Sequence, residues 1–98
     1  MDSKYSWTKK LERLLKRIGR KSKKLTNSFY AQADLILQNP KAGALLKGDL
    51  KGYRSWDYNP DGIAVRICCL YDELENIVHF VYFGTRENFY DEVKRYLL

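Results

Sequence analysis

The spacing of the apolar residues changes from a helical period to a period of two near residue 48, and this change constrains the fold most. Before it, two apolar stripes follow the i, i+3, i+4, i+7 spacing of one helix face. They consist of Leu11, Leu14, Leu15 and Ile18, and of Leu25, Phe29, Ala33, Ile36 and Leu37. After it, apolar and polar residues alternate, as in strands that bury one face. The sequence therefore predicts an α+β protein.

Local signals set the predicted ends of the two helices. Thr8 precedes the first helix, and Gly19 is a candidate helix end or kink because glycine adopts a left-handed conformation at little cost. The second helix is predicted to begin near Ser22 and to end at Asn39 and Pro40, since a residue before proline disfavours the helical conformation. Two helices joined by so short a link form a helical hairpin.

Four runs of residues are predicted to be strands. They cover residues 4–7, 50–58, 63–71 and 77–83. The turn at 59–62 joins the second and third runs, and the last run is almost continuously apolar, which predicts a central strand covered on both faces. In the third run, alternation separates Ile63, Val65, Ile67, Cys69 and Tyr71 from Ala64, Arg66, Cys68 and Leu70.

A short final helix is predicted after Asn88, a candidate cap, so that the element order is β-α-α-β-β-β-α. Short turns between consecutive strands require antiparallel pairing. We therefore expect an antiparallel four-stranded sheet with the N-terminal helical hairpin on one face and a short C-terminal helix. Because the chain has 98 residues, residues 1–98 are expected to form a single domain.

Positive charge is concentrated in the first half of the chain. Residues 1–48 hold 12 Lys and Arg against 3 Asp and Glu, whereas residues 49–98 hold 6 against 9. Such a basic block is a footprint for nucleic acid or another polyanion. The candidate RNA-binding residues are Lys9, Lys10, Arg13, Lys16, Arg17, Arg20, Lys23 and Lys24, together with Lys47 and Lys51.

Several other classes of protein are disfavoured by the sequence. No apolar run approaches the roughly 20 residues of a membrane-spanning helix, and the N-terminus lacks the pattern of a signal peptide. Cys68 and Cys69 are adjacent, so a disulfide between them would be strained, and no Cys/His cluster indicates a zinc site. We expect no metal, no membrane association and a reducing, cytoplasmic setting.

Four segments, in this order, resemble motifs of the RelE/ParE superfamily of bacterial and archaeal toxins. They are LQNP at residues 37–40, LLKGDLKGYRSWDY at 45–58, VRICCLY at 65–71 and VYFGTRENFYDEVKRYL at 81–97. The resemblance extends over nearly the whole chain. It implies a RelE-like fold, a role as the toxin of a type II toxin–antitoxin pair, a cognate antitoxin protein as partner, and no cofactor.

Within the superfamily, RelE-type members cut mRNA in the ribosomal A site without a metal ion, whereas ParE-type members poison DNA gyrase and lack the cutting residues. The resemblance gives Arg66, Arg86 and Tyr90 catalytic roles. Metal-free cleavage uses the 2′-hydroxyl as nucleophile, and fixed positive charge stabilises the phosphate in the transition state. Arg66 and Arg86 are expected to supply that charge, because a guanidinium group can bind two phosphate oxygens. Tyr90 is expected to act at the 2′-hydroxyl.

Further residues are candidates for supporting roles. Arg54 occupies the position of a second-strand lysine in RelE-type enzymes and, with Lys47 or Lys51, is expected to support the leaving group and the RNA backbone. Arginine is a poor proton donor, because its ordinary pKa exceeds about 12. His79, in the central strand, is expected to be structural, which leaves the general base unassigned. Some of Tyr53, Trp56 and Tyr58 are expected to stack on bases and the others to lie in the core.

Each of these interpretations has an alternative that the sequence leaves open. Arg66 and Arg86 would also be explained as partners of nearby carboxylates, and Tyr90 as a core residue. The basic segment would also suit a solvated helix face or a docking surface for an acidic antitoxin. The favoured function is a ribosome-dependent mRNA endoribonuclease with mRNA and the ribosome as partners. The alternatives are a ParE-like DNA gyrase inhibitor and a non-catalytic nucleic-acid-binding module.

Overall fold

The computed structural model, which describes residues 3–87 and 89–97, contains the predicted helices and strands in the predicted order and one additional two-residue strand. Helices α1, α2 and α3 span Lys9–Lys21, Lys23–Gln38 and Phe89–Leu97. Strands β1 to β5 span Lys4–Trp7, Ala44–Leu45, Tyr53–Tyr58, Val65–Asp72 and Ile77–Thr85. Asn88, the candidate cap of α3, lies outside the described residues. The predicted α+β class and the helical hairpin on one face of the sheet are confirmed.

The sheet differs from the predicted one in two details. It has five strands in the order β1-β5-β4-β3-β2, and β1 pairs with β5 in parallel, whereas the other neighbours are antiparallel. The expectation of four antiparallel strands was therefore wrong. The two residues of β2 are too few to show an alternating pattern. The direction of β1 depends on a partner more than seventy residues away, which local sequence patterns do not specify.

Side-chain caps define both helices of the hairpin. The hydroxyl of Thr8 accepts a hydrogen bond from the backbone N–H of Leu11 at 3.0 Å, and that of Ser22 accepts one from Leu25 at 3.1 Å. Helix α1 continues through Gly19 to Lys21, so Gly19 is neither a helix end nor a kink. A β-carbon at Gly19 would lie 3.5 Å from Thr26 of α2, and the helix ends where Ser22 begins to cap the next one.

The connection between β3 and β4 is longer than predicted. Pro60–Gly62 forms a short 3₁₀ turn in which Asp61 and Gly62 have φ values of 51° and 80°. Strand β4 therefore begins at Val65, and Ile63, which alternation placed on the same face as Val65, is 47% exposed. Val65, Ile67 and Cys69 do share one face, as predicted, and they lie in the core beneath the helical hairpin.

Strand β5 is covered on both faces, as predicted, and a β-bulge divides its residues between two cores. Its register with β4 shifts between Cys68 and Cys69, so that an extra residue, Val81, is inserted. Phe80 and Phe83 consequently face the helical hairpin, while Val81 and Tyr82 face α3. A bulge reverses the alternation of a strand. Here it brings large side chains onto both faces near the end of β5.

None of the helices in the described parts of the chain is both long enough and apolar enough to span a bilayer.

Cys68 and Cys69 are free thiols buried on opposite faces of β4, one in each core. Burial raises the pKa of Cys68 to about 12 and that of Cys69 to about 11. Because the thiolate is the reactive form, neither thiol should react with Ellman's reagent in the folded protein at mildly alkaline pH. Both should react at once in concentrated guanidinium chloride. Rapid reaction of either thiol in the native protein would contradict the two-sided burial of β4.

Candidate active site

The register between β3 and β4 places a carboxylate directly opposite Arg66. Asp57 pairs with Arg66 across the two strands, and its two oxygens accept hydrogen bonds from Nε and Nη2 of Arg66 at 2.6 and 3.0 Å. This is the bidentate geometry that guanidinium and carboxylate groups favour. The hydrogen bond to Asp57 raises the pKa of Arg66 above its ordinary value, so Arg66 is a permanent positive charge.

The guanidinium group of Arg66 is also fixed from the side of α3. Its carbon lies 4.8 Å from the ring centroid of Phe89, the first residue of α3. This is within the range of a cation–π interaction. The side chain of Arg66 is 21% exposed, so one edge of it reaches solvent while Asp57 and Phe89 restrain the rest.

Arg86 approaches the same carboxylate from the end of β5. Its Nε lies 3.7 Å from Oδ2 of Asp57, and its Nη2 lies 3.5 Å from the backbone oxygen of Tyr58. The Nε atom is buried and has no hydrogen-bond partner among the described residues. The backbone N–H of Arg86 donates to the oxygen of Ala64 at 3.2 Å, which holds this segment against β4. The side chain as a whole is 34% exposed, so part of Arg86 can reach an added anion although its Nε cannot.

Gly84 is the residue of β5 that pairs with Arg66. A β-carbon at Gly84 would come within 2.5 Å of the hydroxyl oxygen of Tyr82, so only glycine leaves room for that ring. Burial raises the pKa of Tyr82 to about 12, and its ring packs on Phe89 with the centroids 5.9 Å apart. The part of β5 beneath the arginines is therefore a closely packed aromatic surface.

Tyr90 stands next to the arginine cluster on the first turn of α3. Its ring meets that of Phe89 edge to face, with 5.5 Å between centroids, and Phe89 in turn contacts Arg66. The side chain is 48% exposed. Tyr90 is thus available to a ligand that also contacts Arg66.

Arg54 is not brought to this cluster. It lies three residues from Asp57 on β3, so alternation places the two side chains on opposite faces of the sheet. Its Nη1 donates to the backbone oxygens of Lys41 and Gly43 at 3.0 and 2.8 Å, which ties down the loop before β2. Arg54, which the resemblance suggested would support the leaving group, therefore does not reach the two arginines Arg66 and Arg86.

The remaining candidates lie on other parts of the surface. Lys47 and Lys51 are exposed beside the short turn Gly48–Leu50. The predicted RNA-binding residues of the hairpin are also exposed, namely Lys9, Lys10, Arg13, Lys16, Arg17, Arg20, Lys23 and Lys24. Tyr58 and Trp56 pack against the core beneath the helical hairpin, where Trp56 donates to Gln32 at 2.7 Å, so neither faces the arginine cluster.

His79 has the structural role that the sequence predicted. Its Nδ1 lies 2.6 Å from the hydroxyl of Ser6 on β1, and its partner in the β4–β5 register is Leu70. Arg66 pairs with Gly84, five residues further along β5, so His79 lies roughly 15 Å from the arginine cluster at the usual rise of a strand.

Asp57 is the site residue that the sequence reasoning missed. The signal for it was the hairpin register, because a loop over residues 59–64 that joins two antiparallel strands sets residue 57 opposite residue 66. Because Asp57 is acidic, a search for basic residues alone does not find it. A carboxylate between two arginines reduces the net positive charge of the cluster and also holds both guanidinium groups in place.

A helical hairpin thus covers one face of a five-stranded sheet, and Arg66 and Arg86 meet at one end of that sheet. A family model described as a ParE-like toxin of type II bacterial toxin–antitoxin systems matches residues 6–94. The chain therefore belongs to the ParE-like toxin family, within the RelE/ParE superfamily that its motifs resemble.

Three solved structures share the fold. A double arginine-to-alanine variant of Escherichia coli toxin RelE in the free state is 13% identical, with a TM-score of 0.74 over 100% of both chains. The RelBE2 toxin–antitoxin complex of Mycobacterium tuberculosis is 16% identical, with a TM-score of 0.69 over 88% of this chain and 100% of that one. A conserved hypothetical protein of Helicobacter pylori is 22% identical, with a TM-score of 0.61 over 89% and 98%. No curated protein sequence matches the chain significantly.

The Asp57–Arg66 pair should contribute measurably to stability. Replacing Asp57 with asparagine keeps the shape but removes the charge, so we expect the free energy of unfolding to fall by about 1 kcal/mol, the upper end for ion pairs near a surface. Urea denaturation at neutral pH measures this. Asp61→Asn is the matched control, because Asp61 lies 3.9 Å from Lys24 in a pair whose side chains are 72% and 88% exposed. Equal stability of both variants and the wild type would contradict a structural role for the pair.

Proposed function

We propose that this chain, acting as one RelE-like domain, is a ribosome-dependent and metal-independent endoribonuclease that cleaves mRNA in the ribosomal A site. The observation that carries the proposal is the convergence of Arg66 and Arg86 on one carboxylate beside the exposed ring of Tyr90. The same residue types in the same order support RNA cleavage in the motifs that the chain resembles.

The chemistry requires three things of the protein at the scissile phosphate. The 2′-oxygen attacks phosphorus, the bond to the 5′-oxygen breaks, and a 2′,3′-cyclic phosphate remains. The proton of the 2′-hydroxyl is removed and the departing 5′-oxygen gains one. Extra negative charge on the non-bridging oxygens is stabilised meanwhile by fixed positive groups. Arg66 and Arg86 are the groups that supply this charge.

The contacts of the two arginines suit different parts of this task. Arg66 is held by Asp57 and Phe89, so it is already oriented before RNA arrives. The side chain of Arg86 is 34% exposed, so its solvent-facing part can contact a phosphate oxygen, although its buried Nε cannot. The hydroxyl of Tyr90 orients the 2′-hydroxyl, and Lys47 and Lys51 attract the RNA backbone.

The partners follow from the family and from the proposed reaction. Toxins of type II systems are paired with antitoxins, and a structural relative is known in a toxin–antitoxin complex. We propose that a cognate antitoxin protein binds this chain and that the ribosome presents the mRNA, which places the reaction in the cytoplasm.

A second candidate function is inhibition of DNA gyrase without catalysis. The observation that favours it is that Asp57 already accepts both hydrogen bonds of the Arg66 fork. Among the described residues, no lysine or histidine contacts the cluster as a proton donor. Under this alternative, the purified protein inhibits supercoiling by gyrase and cuts no mRNA on programmed ribosomes.

Replacing Arg86 with alanine should abolish most of the cleavage. Loss of one donor to a developing oxyanion costs about 10²- to 10³-fold in rate, while binding to the ribosome should persist. Primer extension on a defined mRNA with programmed ribosomes measures the cleavage, and co-sedimentation measures binding. Arg54→Ala is the informative comparison, since it removes an arginine from the opposite face of the sheet. Normal cleavage by Arg86→Ala would contradict the proposed role of Arg86 in stabilising the phosphate charge.

Tyr90→Phe separates a chemical role of the hydroxyl from stacking of the ring. If the hydroxyl acts at the 2′-oxygen, single-turnover cleavage should slow by about 10²-fold, the low end for a positioned acid–base group. Tyr90 is half-exposed, so the variant should fold normally, which circular dichroism and thermal unfolding verify. Unchanged cleavage by Tyr90→Phe together with a large loss in Tyr90→Ala would assign the ring to stacking instead.

A further inference from the structure

We propose that the groove between α1 and α3 is a second anion site, separate from the Arg66–Arg86 cluster, and that it binds the phosphodiester backbone of RNA. The choice of RNA as ligand rests on the proposed function. The groove itself is defined by the contacts between the two helices.

Cations of α1 form one wall of this groove. Lys10, Arg13 and Arg17 are spaced i, i+3, i+7, so they form one row roughly 10 Å long. Arg95 and Tyr96, from the last turn of α3, form the opposite wall. A row of this length is sufficient to contact successive phosphates of one strand.

One contact inside the groove holds Arg17 in place without neutralising it. Nη2 of Arg17 donates to the hydroxyl oxygen of Tyr96 at 3.2 Å, and the ring of Tyr96 packs on Tyr82 with 5.1 Å between centroids. A phenol is an uncharged acceptor, so Arg17 keeps its full charge while its position is fixed. Within the described residues, Arg13 has no hydrogen bond and no ion pair.

Cations elsewhere on the molecule are in a different situation. Several of those in the second half of the chain lie within 4 Å of a carboxylate, as the pairs Arg66–Asp57, Arg86–Asp57 and Lys94–Asp49 show. Arg95, on the α3 wall of the groove, is likewise paired, with Glu92 at 3.2 Å. The arginines on the α1 wall are instead held by an uncharged group or are open to solvent, so the positive charge that the groove offers an external anion comes from Arg13 and Arg17.

RNA fits the groove better than an acidic protein segment does. Phosphates follow one another along a single strand at regular intervals. This spacing matches the row of positively charged side chains on α1. Helix α3 carries Tyr90 in its first turn and Tyr96 in its last, and its nine residues are roughly 13 Å long. A strand of a few nucleotides is therefore long enough to reach from the proposed catalytic cluster to the groove.

The strip of α1 beside the groove offers a control of equal charge. Lys16 borders a separate cleft with Trp7, Thr26 and Tyr30, away from α3. Lys9 lies on the same side of the helix as Lys16, since seven residues separate them. Arg13→Gln/Arg17→Gln and Lys9→Gln/Lys16→Gln therefore remove the same charge from the same helix, but only the first pair lines the groove.

Binding of a non-cleavable RNA tests the proposal. The probe is a fluorescein-labelled 2′-O-methyl oligouridine of about twelve nucleotides, within the usual site size for single strands. It lacks the 2′-hydroxyl nucleophile, so its binding does not depend on whether the protein is a nuclease. We expect the Arg13/Arg17 variant to bind about tenfold more weakly. The slope of log affinity against log salt concentration should also become shallower by about 1.4. Each phosphate contact contributes about 0.7 to this slope for a single strand, and the variant loses two.

Tyr96→Phe provides a readout that a general loss of charge does not give. Tyr96 is a positioning residue, because it acts through Arg17. We expect a modest loss of affinity, about threefold, with an unchanged salt slope, since the number of cations is the same. The phenylalanine ring should still pack on Tyr82, so the thermal stability of this variant should stay close to that of the wild type.

Two results would overturn the proposal. Equal losses of affinity in the Arg13/Arg17 and Lys9/Lys16 variants would show that RNA responds to net charge and not to the groove. Tighter binding of poly-glutamate than of the oligouridine, also lost in the Arg13/Arg17 variant, would assign the groove to an acidic protein partner. In either case, cleavage on the ribosome is measured separately, so failure here leaves the proposed reaction standing.

Discussion

The burial of β4 and β5 on both faces is the constraint on which the rest of the molecule depends. The helical hairpin covers one face and α3 the other, and the bulge at Val81 supplies large apolar side chains to both. Each fully buried side chain of this kind contributes about 1.5–3 kcal/mol relative to exposure. The charged residues of these two strands, Arg66 and Asp72, lie near the two ends of β4. Arg66 lies at the end where β3, β4 and β5 meet the start of α3.

At that end, the charges hold one another in place. A half-buried arginine in a strand needs a partner, because removal of a charge from water is costly unless it is paired. Asp57 supplies the partner for Arg66 and approaches Arg86 as well. The same carboxylate that stabilises the cluster competes with any anion that binds there. Under the proposed function, an RNA phosphate would share or displace these contacts, and the exposed part of Arg86 would be available to meet it.

The electrostatics of the chain thus divide into two regions with different properties. The Arg66–Arg86 cluster is compact, restrained and partly neutralised, which suits recognition of a single phosphate. The α1 side of the helical hairpin is exposed to solvent and carries mostly positive charge, which suits attraction of an extended polyanion. Long-range attraction weakens as salt rises, whereas contacts inside a restrained cluster are screened much less.

The identity and order of the helices and strands were readable from the sequence, because apolar periodicity and capping residues act over a few neighbouring residues. Motif resemblance also indicated Arg66, Arg86 and Tyr90, and the structure brings these three together. Arg54 shows the limit of that reasoning. A motif predicts which residue takes part in a site, but the alternation of β3 determines which face of the sheet its side chain lies on. The side chain of Arg54 lies on the face away from Arg66 and Arg86.

What the sequence by itself determined was therefore local: the two helical stripes, the caps at Thr8 and Ser22, the buried strand and the basic first half of the chain. What only the tertiary structure decided was pairing between distant residues. The parallel alignment of β1, the Asp57–Arg66 pair and the contact of Arg17 with Tyr96 each join segments that no local pattern links. The physical reason is that strand register and helix packing depend on how all the helices and strands bury their apolar faces together. The sequence of one segment does not specify which distant segment it will contact.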